Sequence, residues 1–181
     1  MHDSPSTNQV SKRSRLLILL LLFISIIAIG VSVWALFFRE PDISLAPDYA
    51  PQNKEEHAET IPNDPQDKLE APQGGGAVSL TYATQVGIDL SSGKVSLLFA
   101  NPTKSNQDML LQITVQDQVI LQSGTISPGH RVTTLELPED AAKMLSVGGY
   151  NGKFVVLYYN RESGEKSIVN TEIPIQITVT D

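Results

Sequence analysis

The apolar residues of this chain follow two different patterns, one at each side of a polar stretch. From Leu16 to Phe38 the chain runs for 23 residues without a charged side chain. A helix of that length is about 34 Å long, and the hydrocarbon core of a bilayer is roughly 30 Å thick. The pattern therefore predicts one transmembrane helix over residues 16–38, with the lipid bilayer as its partner.

A cleaved signal peptide is the alternative interpretation of this segment. The basic residues of "KRSR" would precede it, and Val33 and Ala35 would form a V-x-A cleavage site. The apolar regions of signal peptides run about 7–15 residues, and this one is longer before that site is reached. We therefore expect an uncleaved anchor. The chain contains no cysteine, which excludes a lipidated-cysteine anchor, disulfides and thiolate-bound metals.

The charges that flank the apolar run predict its orientation. Lys12, Arg13 and Arg15 precede it, whereas Arg39 directly after it is soon followed by the acids Glu40, Asp42 and Asp48. Positive charge is retained on the cytoplasmic side of a membrane. Residues 1–15 are therefore expected to be a cytoplasmic tail, and the chain beyond the helix is expected to be extracytoplasmic, at the cell membrane.

The second apolar pattern begins at Ala77 and has a period of two. In "MLLQITVQD" the apolar residues Leu111, Ile113 and Val115 alternate with polar ones, as in a half-buried strand. Turn signals such as "SSGK", "SPG" and "RESGEK" separate about seven such strands, and "PEDAAKML" predicts a short helix that begins at Pro138. Residues 77–181 are therefore predicted to form an all-β domain.

An immunoglobulin-like antiparallel β-sandwich is the most economical architecture for about seven short strands. "LSVGGYNGKF" places Tyr150 where such domains have a tyrosine corner, with its hydroxyl bonded to upstream backbone. Gly152 stands where antibody domains have a cysteine, so a similar sandwich without immunoglobulin ancestry stays open. Pro174 lacks an N–H group, which predicts an edge position or a bulge in the last strand.

Residues 39–76 differ sharply in composition from both neighbours. Nine acidic and three basic residues lie between Arg39 and Gln73, together with six prolines. A segment with so much like charge and so few large apolar residues does not offset its ordering entropy by burial. We expect a disordered, semi-rigid stalk that ends in the flexible triplet Gly74–Gly76, with an acidic partner-binding motif as the alternative.

The stretch "SGTISPGH" is the strongest candidate for chemistry, because it combines Ser123 and Ser127 with His130. A serine nucleophile needs a base within about 3 Å and a third group that orients the base. Pro128 and Gly129 instead predict a type II turn, at a solvent-exposed hairpin tip without a pocket. No Gly-x-Ser-x-Gly motif accompanies the serines. The sequence therefore indicates a turn and no enzyme.

Other sites that carry chemistry find no support either. "ELPED" lacks the alternating oxygen ligands of a calcium loop, and the acids Glu139 and Asp140 are explained by a helix N-terminus. The three histidines are scattered along the chain, which gives no zinc pattern. With a net charge of −7, nucleic acid is not an expected partner. We therefore predict no catalytic residue, no metal ligand and no cofactor.

A protein partner in the cell envelope is then the expected ligand, with a glycan as the alternative. Binding is expected at sheet edges or at loops such as Asn101–Asp108, "NPTKSNQD". Tyr159 lies on the strand face opposite Phe154 and Tyr158, and an exposed tyrosine could stack on a sugar. The candidate interaction surface comprises Asn101, Lys104, Asn106 and Tyr159.

Four stretches carry a resemblance to a known group: "FANPTKSNQDMLLQITV", "LQSGTISPGHRVTTLEL", "GGYNGKFVVLYYN" and "EIPIQITVTD". The chain resembles membrane-anchored β-sandwich proteins of Gram-positive anaerobic bacteria, over about Ala77 to Asp181. The resemblance implies a fold and a location at the membrane. It implies no ligand, since the group has no assigned activity. The sequence thus predicts a single-pass membrane protein that presents a non-catalytic β-sandwich, either an interaction or structural module or a cell-wall carbohydrate-binding module.

Overall fold

The structure is a computed structural model, and it describes residues 12–37, 46–71 and 75–181. Side chains of the N-terminal helix are described over 16–30. The chain divides into two compact units, Met1–Ile43 and Ser44–Asp181. Residues 1–11, 38–45 and 72–74 lie outside the described part of the chain. They include most of the predicted cytoplasmic tail, the last residue of the predicted transmembrane helix, the start of the predicted stalk and the first glycine of its flexible triplet.

The first unit contains one helix, α1 (Lys12–Phe37), of 26 residues. Its described side chains are exposed, and the hydroxyl of Ser25 donates a hydrogen bond of 3.0 Å to the Leu21 carbonyl one turn earlier. Such a bond lets a polar side chain sit within an apolar helix. Among the described residues, a helix long and apolar enough to cross a membrane is not found.

The described residues of the second unit, 46–71 and 75–181, form nine strands and one short helix. The strands are β1 (Glu59–Thr60), β2 (Thr81–Tyr82), β3 (Gln85–Asp89), β4 (Lys94–Asn101), β5 (Gln107–Val115), β6 (Gln118–Ile126), β7 (His130–Glu136), β8 (Gly148–Asn160) and β9 (Lys166–Thr180), and the helix is α2 (Glu139–Met144). Seven of the strands have five residues or more, as the alternating pattern predicts. The predicted short helix is present, and it begins at Glu139, one residue after the predicted start at Pro138.

The strands form one mixed sheet in the order β1-β7-β4-β3-β9-β8-β5-β6, with β2 paired to β4. Strand β3 pairs antiparallel with β4 and parallel with β9. The sheet is curled. Phe99 of β4 and Phe154 of β8 meet edge to face, with their ring centroids 6.1 Å apart, although their strands are not neighbours in the sheet. Strands that are three places apart in the sheet therefore face each other across a shared core.

The core follows the period of two that the sequence shows. In β9, Ile173, Ile175, Ile177 and Val179 are buried, and the residues between them are exposed. In β8, Phe154 and Tyr158 also face this core. The alternation of apolar and polar residues in β9 thus corresponds to one buried and one exposed face.

Two local predictions about this unit are confirmed as well. The Tyr150 hydroxyl donates to the Ser146 carbonyl at 2.9 Å and accepts from the Ser146 amide at 3.0 Å, which forms the expected tyrosine corner. Pro174 pairs with Lys153 of β8, while β3 reaches only Gln176–Thr180 on the other side of β9. Pro174 thus lies where β9 has an open edge, so its missing N–H group leaves no gap in the sheet.

The predicted disordered stalk is wrong for residues 46–71, which we call the belt. The belt forms strand β1 on the edge of β7 and isolated bridges from Tyr49 to Glu165 and from Lys54 to Thr125. The average composition of the segment does not predict this docking, because the belt is held by a few small apolar residues and by backbone hydrogen bonds. The sequence offered only a weak signal, the alanines at 46, 50 and 58 among the acids.

Candidate functional site

The loop predicted as an interaction surface is largely occupied by the chain itself. Asn101 is fully buried. Its side-chain amide donates to the carbonyls of Gln107 at 3.0 Å and Ile126 at 2.9 Å. A buried amide that ties two strands together stabilises the loop and is not available to a partner. The prediction that Asn101 belongs to an interaction surface was therefore wrong.

Asn106 and Lys104 differ in their exposure. The Asn106 side-chain oxygen accepts from the Ala77 amide at 2.8 Å, and the Asn106 amide donates to the Ala77 carbonyl at 3.0 Å. Asn106 thus fastens the strand that enters the domain, although it is only partly buried. Lys104 alone among the four predicted surface residues is exposed, and its carbonyl accepts from the belt amide of Leu69 at 2.8 Å.

Tyr159 lies on the outer face of β8, as its position in the strand predicts, yet it is fully buried. With Leu110 and Leu157 it forms a second, small apolar cluster, which Ala46 and Ala50 of the belt cover. Its hydroxyl donates to the Pro47 carbonyl at 3.1 Å. The belt therefore takes the place that was predicted for a sugar, and Tyr159 is not a surface residue.

The Tyr159 hydroxyl provides a pH-dependent measure of this contact. Its pKa is raised above 10.0, first by burial and then by the nearby charge of Asp48. The folded protein thus holds this proton to a higher pH than the unfolded chain does, so the contribution of Tyr159 to stability is lost as pH rises above about 10. We expect the stability difference between the wild type and Tyr159→Phe to shrink between pH 9 and 11 in urea denaturation. A constant difference would contradict the burial of this hydroxyl.

The belt also fastens the other side of the loop Asn101–Asp108. The Asp64 carboxylate accepts from the Thr103 amide at 2.5 Å. The Lys68 ammonium donates to the carbonyls of Thr103 at 2.5 Å and Ser105 at 3.1 Å. One acid and one base of the supposed stalk thus have defined intramolecular roles, which explains part of its charge without an external partner.

At the edge of β6 the belt runs as an additional, parallel piece of strand. The Glu55 amide donates to the Thr125 carbonyl, and the Thr125 amide donates to the Asn53 carbonyl, both at 3.0 Å. The Glu55 carboxylate accepts from the Gly124 amide at 2.6 Å. An unpaired sheet edge is a template for association with other chains, and here the belt covers part of it.

The belt then crosses the seam between β6 and β7. Ala58 packs against the main core, and Glu59 pairs with Arg131 at the edge of β7. The Ile61 amide donates to the Gly129 carbonyl at 2.9 Å. His57 lies between two carboxylates, with Nδ1 3.1 Å from Glu55 and Nε2 3.9 Å from Glu136. One short segment therefore covers both of these edges.

Gly124 sets how closely the belt approaches β6. A Cβ atom at this position would lie 2.7 Å from the Glu55 nitrogen and 2.8 Å from the Glu55 Cα. Backbone atoms do not move aside cheaply, and overpacking of this kind costs about 1–3 kcal/mol.

We therefore expect Gly124→Ala to detach the belt at this edge, with faster amide exchange of Glu55 as the measurement. Gly87→Ala is the matched control, because its Cβ would meet only Ser96 Cβ at 3.8 Å. Equal exchange rates at Glu55 in the wild type and Gly124→Ala would contradict the close contact.

The residues of "SGTISPGH" do not come together as a catalytic set. The Ser123 hydroxyl accepts from the Leu111 amide at 2.9 Å and donates to the Gly124 carbonyl at 2.7 Å. His130 Nδ1 lies 3.2 Å from the Pro128 carbonyl. The turn itself is confirmed, with Gly129 at φ 83° and a bond from the His130 amide to the Ser127 carbonyl. Its predicted exposure is wrong, since Gly129 is buried under the belt and the Asn101 carbonyl.

Comparisons with known proteins add little to this geometry. No family model matches the chain, and no curated protein matches it. Among solved structures the chain is similar to AggA, the major subunit of aggregative adherence fimbriae type I from Escherichia coli. The identity is 12%, the match covers 62% of this chain and 100% of that chain, and the TM-score is 0.28. A likeness at that TM-score carries no argument about fold or function.

Proposed function

We propose that this chain is a single-pass membrane protein that holds a non-catalytic β-sandwich outside the membrane, as an interaction or structural module of the cell envelope. The observation that carries the proposal is the charge-free run of 23 residues, Leu16–Phe38. Residues 16–37 of this run belong to helix α1. Three basic residues precede this run closely, whereas a single one, Arg39, directly follows it before the acids, which favours a cytoplasmic N-terminus.

We also infer that the β unit is immunoglobulin-like. Strand β3 pairs with β4 on one side and with β9 on the other, so it connects the strands of the two layers. Helix α2 lies in the connection between β7 and β8, and Tyr150 forms its corner at the start of β8. These features support that topology, in which loops and sheet faces are the usual binding surfaces.

Membrane topology can be tested in the full-length chain, because it contains no cysteine. Single cysteines at Ser4, in the tail, and at Ser163, in the exposed β8–β9 turn, are treated with a membrane-impermeant maleimide in intact cells. We expect labelling of Ser163→Cys in intact cells and of Ser4→Cys only after permeabilisation. Labelling of both or of neither in intact cells, or a mature chain that lacks residues 1–35, would overturn the proposal.

The alternative is a cell-wall carbohydrate-binding module, and one observation favours it. A cavity of about 680 Å³ is lined by Lys68, Gly75, Asn106, Gln107, Asn160, Arg161 and Glu162. Amides, a guanidinium and a carboxylate are groups that hydrogen-bond sugar hydroxyls. The test is co-sedimentation of the Ser44–Asp181 unit with isolated cell wall. Loss of binding in Arg161→Ala would support this function, and a wild-type unit that stays in solution would exclude it.

A further inference from the structure

The belt is held differently from the strands that it covers. Its residues that touch the apolar clusters are Ala46, Ala50 and Ala58, and no belt residue is among the fully buried ones. Burial of alanines removes little apolar area from water, so hydrophobic stabilisation of the belt is small. Segments with few buried contacts open locally at a lower free energy than the core does. The belt is therefore able to detach while the β core stays folded.

Detachment would expose a groove with a defined chemistry. At the β6 edge, the Thr125 amide and carbonyl and the Gly124 amide lose the belt as their partner. At the β7 edge, Arg131 loses Glu59. A small apolar site for Ala58 lies between them. We call this surface the seam groove. A ligand that fits the seam groove has an extended backbone, a carboxylate near Gly124, a small side chain at the centre and a second carboxylate near Arg131.

The resident belt does not use all of this groove. Arg131 makes one contact with Glu59, at 3.4 Å, and the Glu59 side chain is 57% exposed. Arg131 Nε is buried without a hydrogen-bond partner in the part of the chain that the structure describes. A guanidinium binds a carboxylate best through two parallel hydrogen bonds. The belt thus leaves donor capacity that a second acidic segment would use.

We propose that the seam groove is a peptide-binding site, that the belt is its resident ligand, and that an extended acidic peptide of a partner binds there when the belt opens. Charge complementarity defines the partner, because the groove offers backbone N–H groups and a cation and currently holds Glu55 and Glu59. Strand addition to an exposed edge is an established mode of peptide recognition. The inference stands independently of the membrane anchor.

The belt competes with a free peptide for the seam groove, and this competition lowers the apparent affinity of the peptide for the wild type. A segment tethered to its own site has an effective concentration on the order of millimolar. A free peptide therefore binds the wild type only in proportion to the open fraction. A variant whose belt is weakened, but whose groove is unchanged, should bind the same peptide more tightly.

The experiment uses the full chain and a fluorescent peptide with the sequence of residues 51–61, PQNKEEHAETI. Ala58→Asp places a carboxylate against the apolar core and weakens the belt, and the groove residues are unchanged. We expect this variant to bind the peptide at least about tenfold more tightly than the wild type does, since the intramolecular competitor is lost. The matched control is Glu56→Gln, an exposed belt residue, which should bind as the wild type does.

Two further arms make the test specific. Adding Gly124→Ala to Ala58→Asp should abolish binding, because a Cβ atom there blocks the backbone of the peptide as well. A peptide that carries the Ala58→Asp change should not bind. If Ala58→Asp fails to fold, as judged by its circular dichroism, Glu55→Ala replaces it. This change removes the carboxylate that accepts from the amides of Gly124 and His57, and it leaves the groove residues unchanged.

Three results would overturn the proposal. The first is no peptide binding to a folded variant whose belt amides exchange freely. The second is equal affinity for the wild type and the variant, which would mean that the peptide binds elsewhere. The third is belt exchange in the wild type as slow as that of β5, which would mean that the belt does not open on its own. The topology experiment on Ser4 and Ser163 is unaffected by any of them.

Discussion

Replacement of Phe154 by alanine is expected to lower the free energy of unfolding of the β unit by about 3–5 kcal/mol. Phe154 is fully buried, and its ring meets Phe99 edge to face at an interplanar angle of 76°. The two phenylalanines belong to β8 and β4, which face each other only because the sheet curls. The substitution therefore removes apolar contact between the two layers and leaves a cavity at the centre of the fold.

The measurement is urea denaturation followed by tyrosine fluorescence. The control is Val147→Ala, since Val147 precedes β8 and is 63% exposed. We expect this control to change stability by no more than about 0.5 kcal/mol. A loss below about 1 kcal/mol for Phe154→Ala would mean that the two layers do not pack through this residue.

Gly152→Ala is expected to be the second most damaging change, with a loss of about 1–3 kcal/mol. Gly152 lies in the middle of β8, paired with Val115 of β5 on one side and Ile175 of β9 on the other. An added Cβ would lie 2.7 Å from the Thr114 carbonyl oxygen and 2.6 Å from Ile177 Cδ1. The backbone of β5 at Thr114 would have to shift to accept it, and the Ile177 side chain would have to move aside.

Gly149 provides the matched control for this prediction. It lies in the same strand, and a Cβ atom there would have no neighbour within 4 Å. Gly149→Ala should leave stability unchanged or raise it slightly, because alanine restricts the unfolded chain. Thermal denaturation of the two variants under the same conditions gives the comparison. Equal losses would show that close packing around Gly152 is not what excludes a side chain.

The strands could be predicted from the sequence because the alternation of apolar and polar residues that marks a strand lies within the strand itself. Alternation in "EIPIQITVTD" specifies both the strand and the face that is buried. The alternation in "MLLQITVQD" predicted its strand correctly, but its half-buried character was wrong, because Gln112 and Thr114 on the other face are buried as well. The sequence also predicted correctly which residues of β8 share a face, since Tyr159 lies on the face opposite Phe154 and Tyr158. What covers the outer face was not predictable, because the covering residue Ala46 lies more than a hundred positions earlier in the chain.

The belt was missed for a related reason. Proline and acid content describe the average cost of ordering a segment, whereas the belt is held by specific partners. Glu55 meets the Gly124 amide and Lys68 meets two carbonyls of the loop, and neither pairing leaves a periodic signal. Asn101 was misassigned in the same way, because a polar loop residue is usually exposed unless other parts of the chain enclose it.

Hydrogen exchange along residues 46–71 of the full chain tests the central claim, that this acidic segment is a docked belt, most directly. The amides of Glu55, Ile61 and Leu69 donate to the carbonyls of Thr125, Gly129 and Lys104. We predict that these three exchange at least about tenfold more slowly than their unfolded rates, yet faster than the amides of β5. Exchange at unfolded rates throughout residues 46–71 would contradict the docked belt and restore the free stalk.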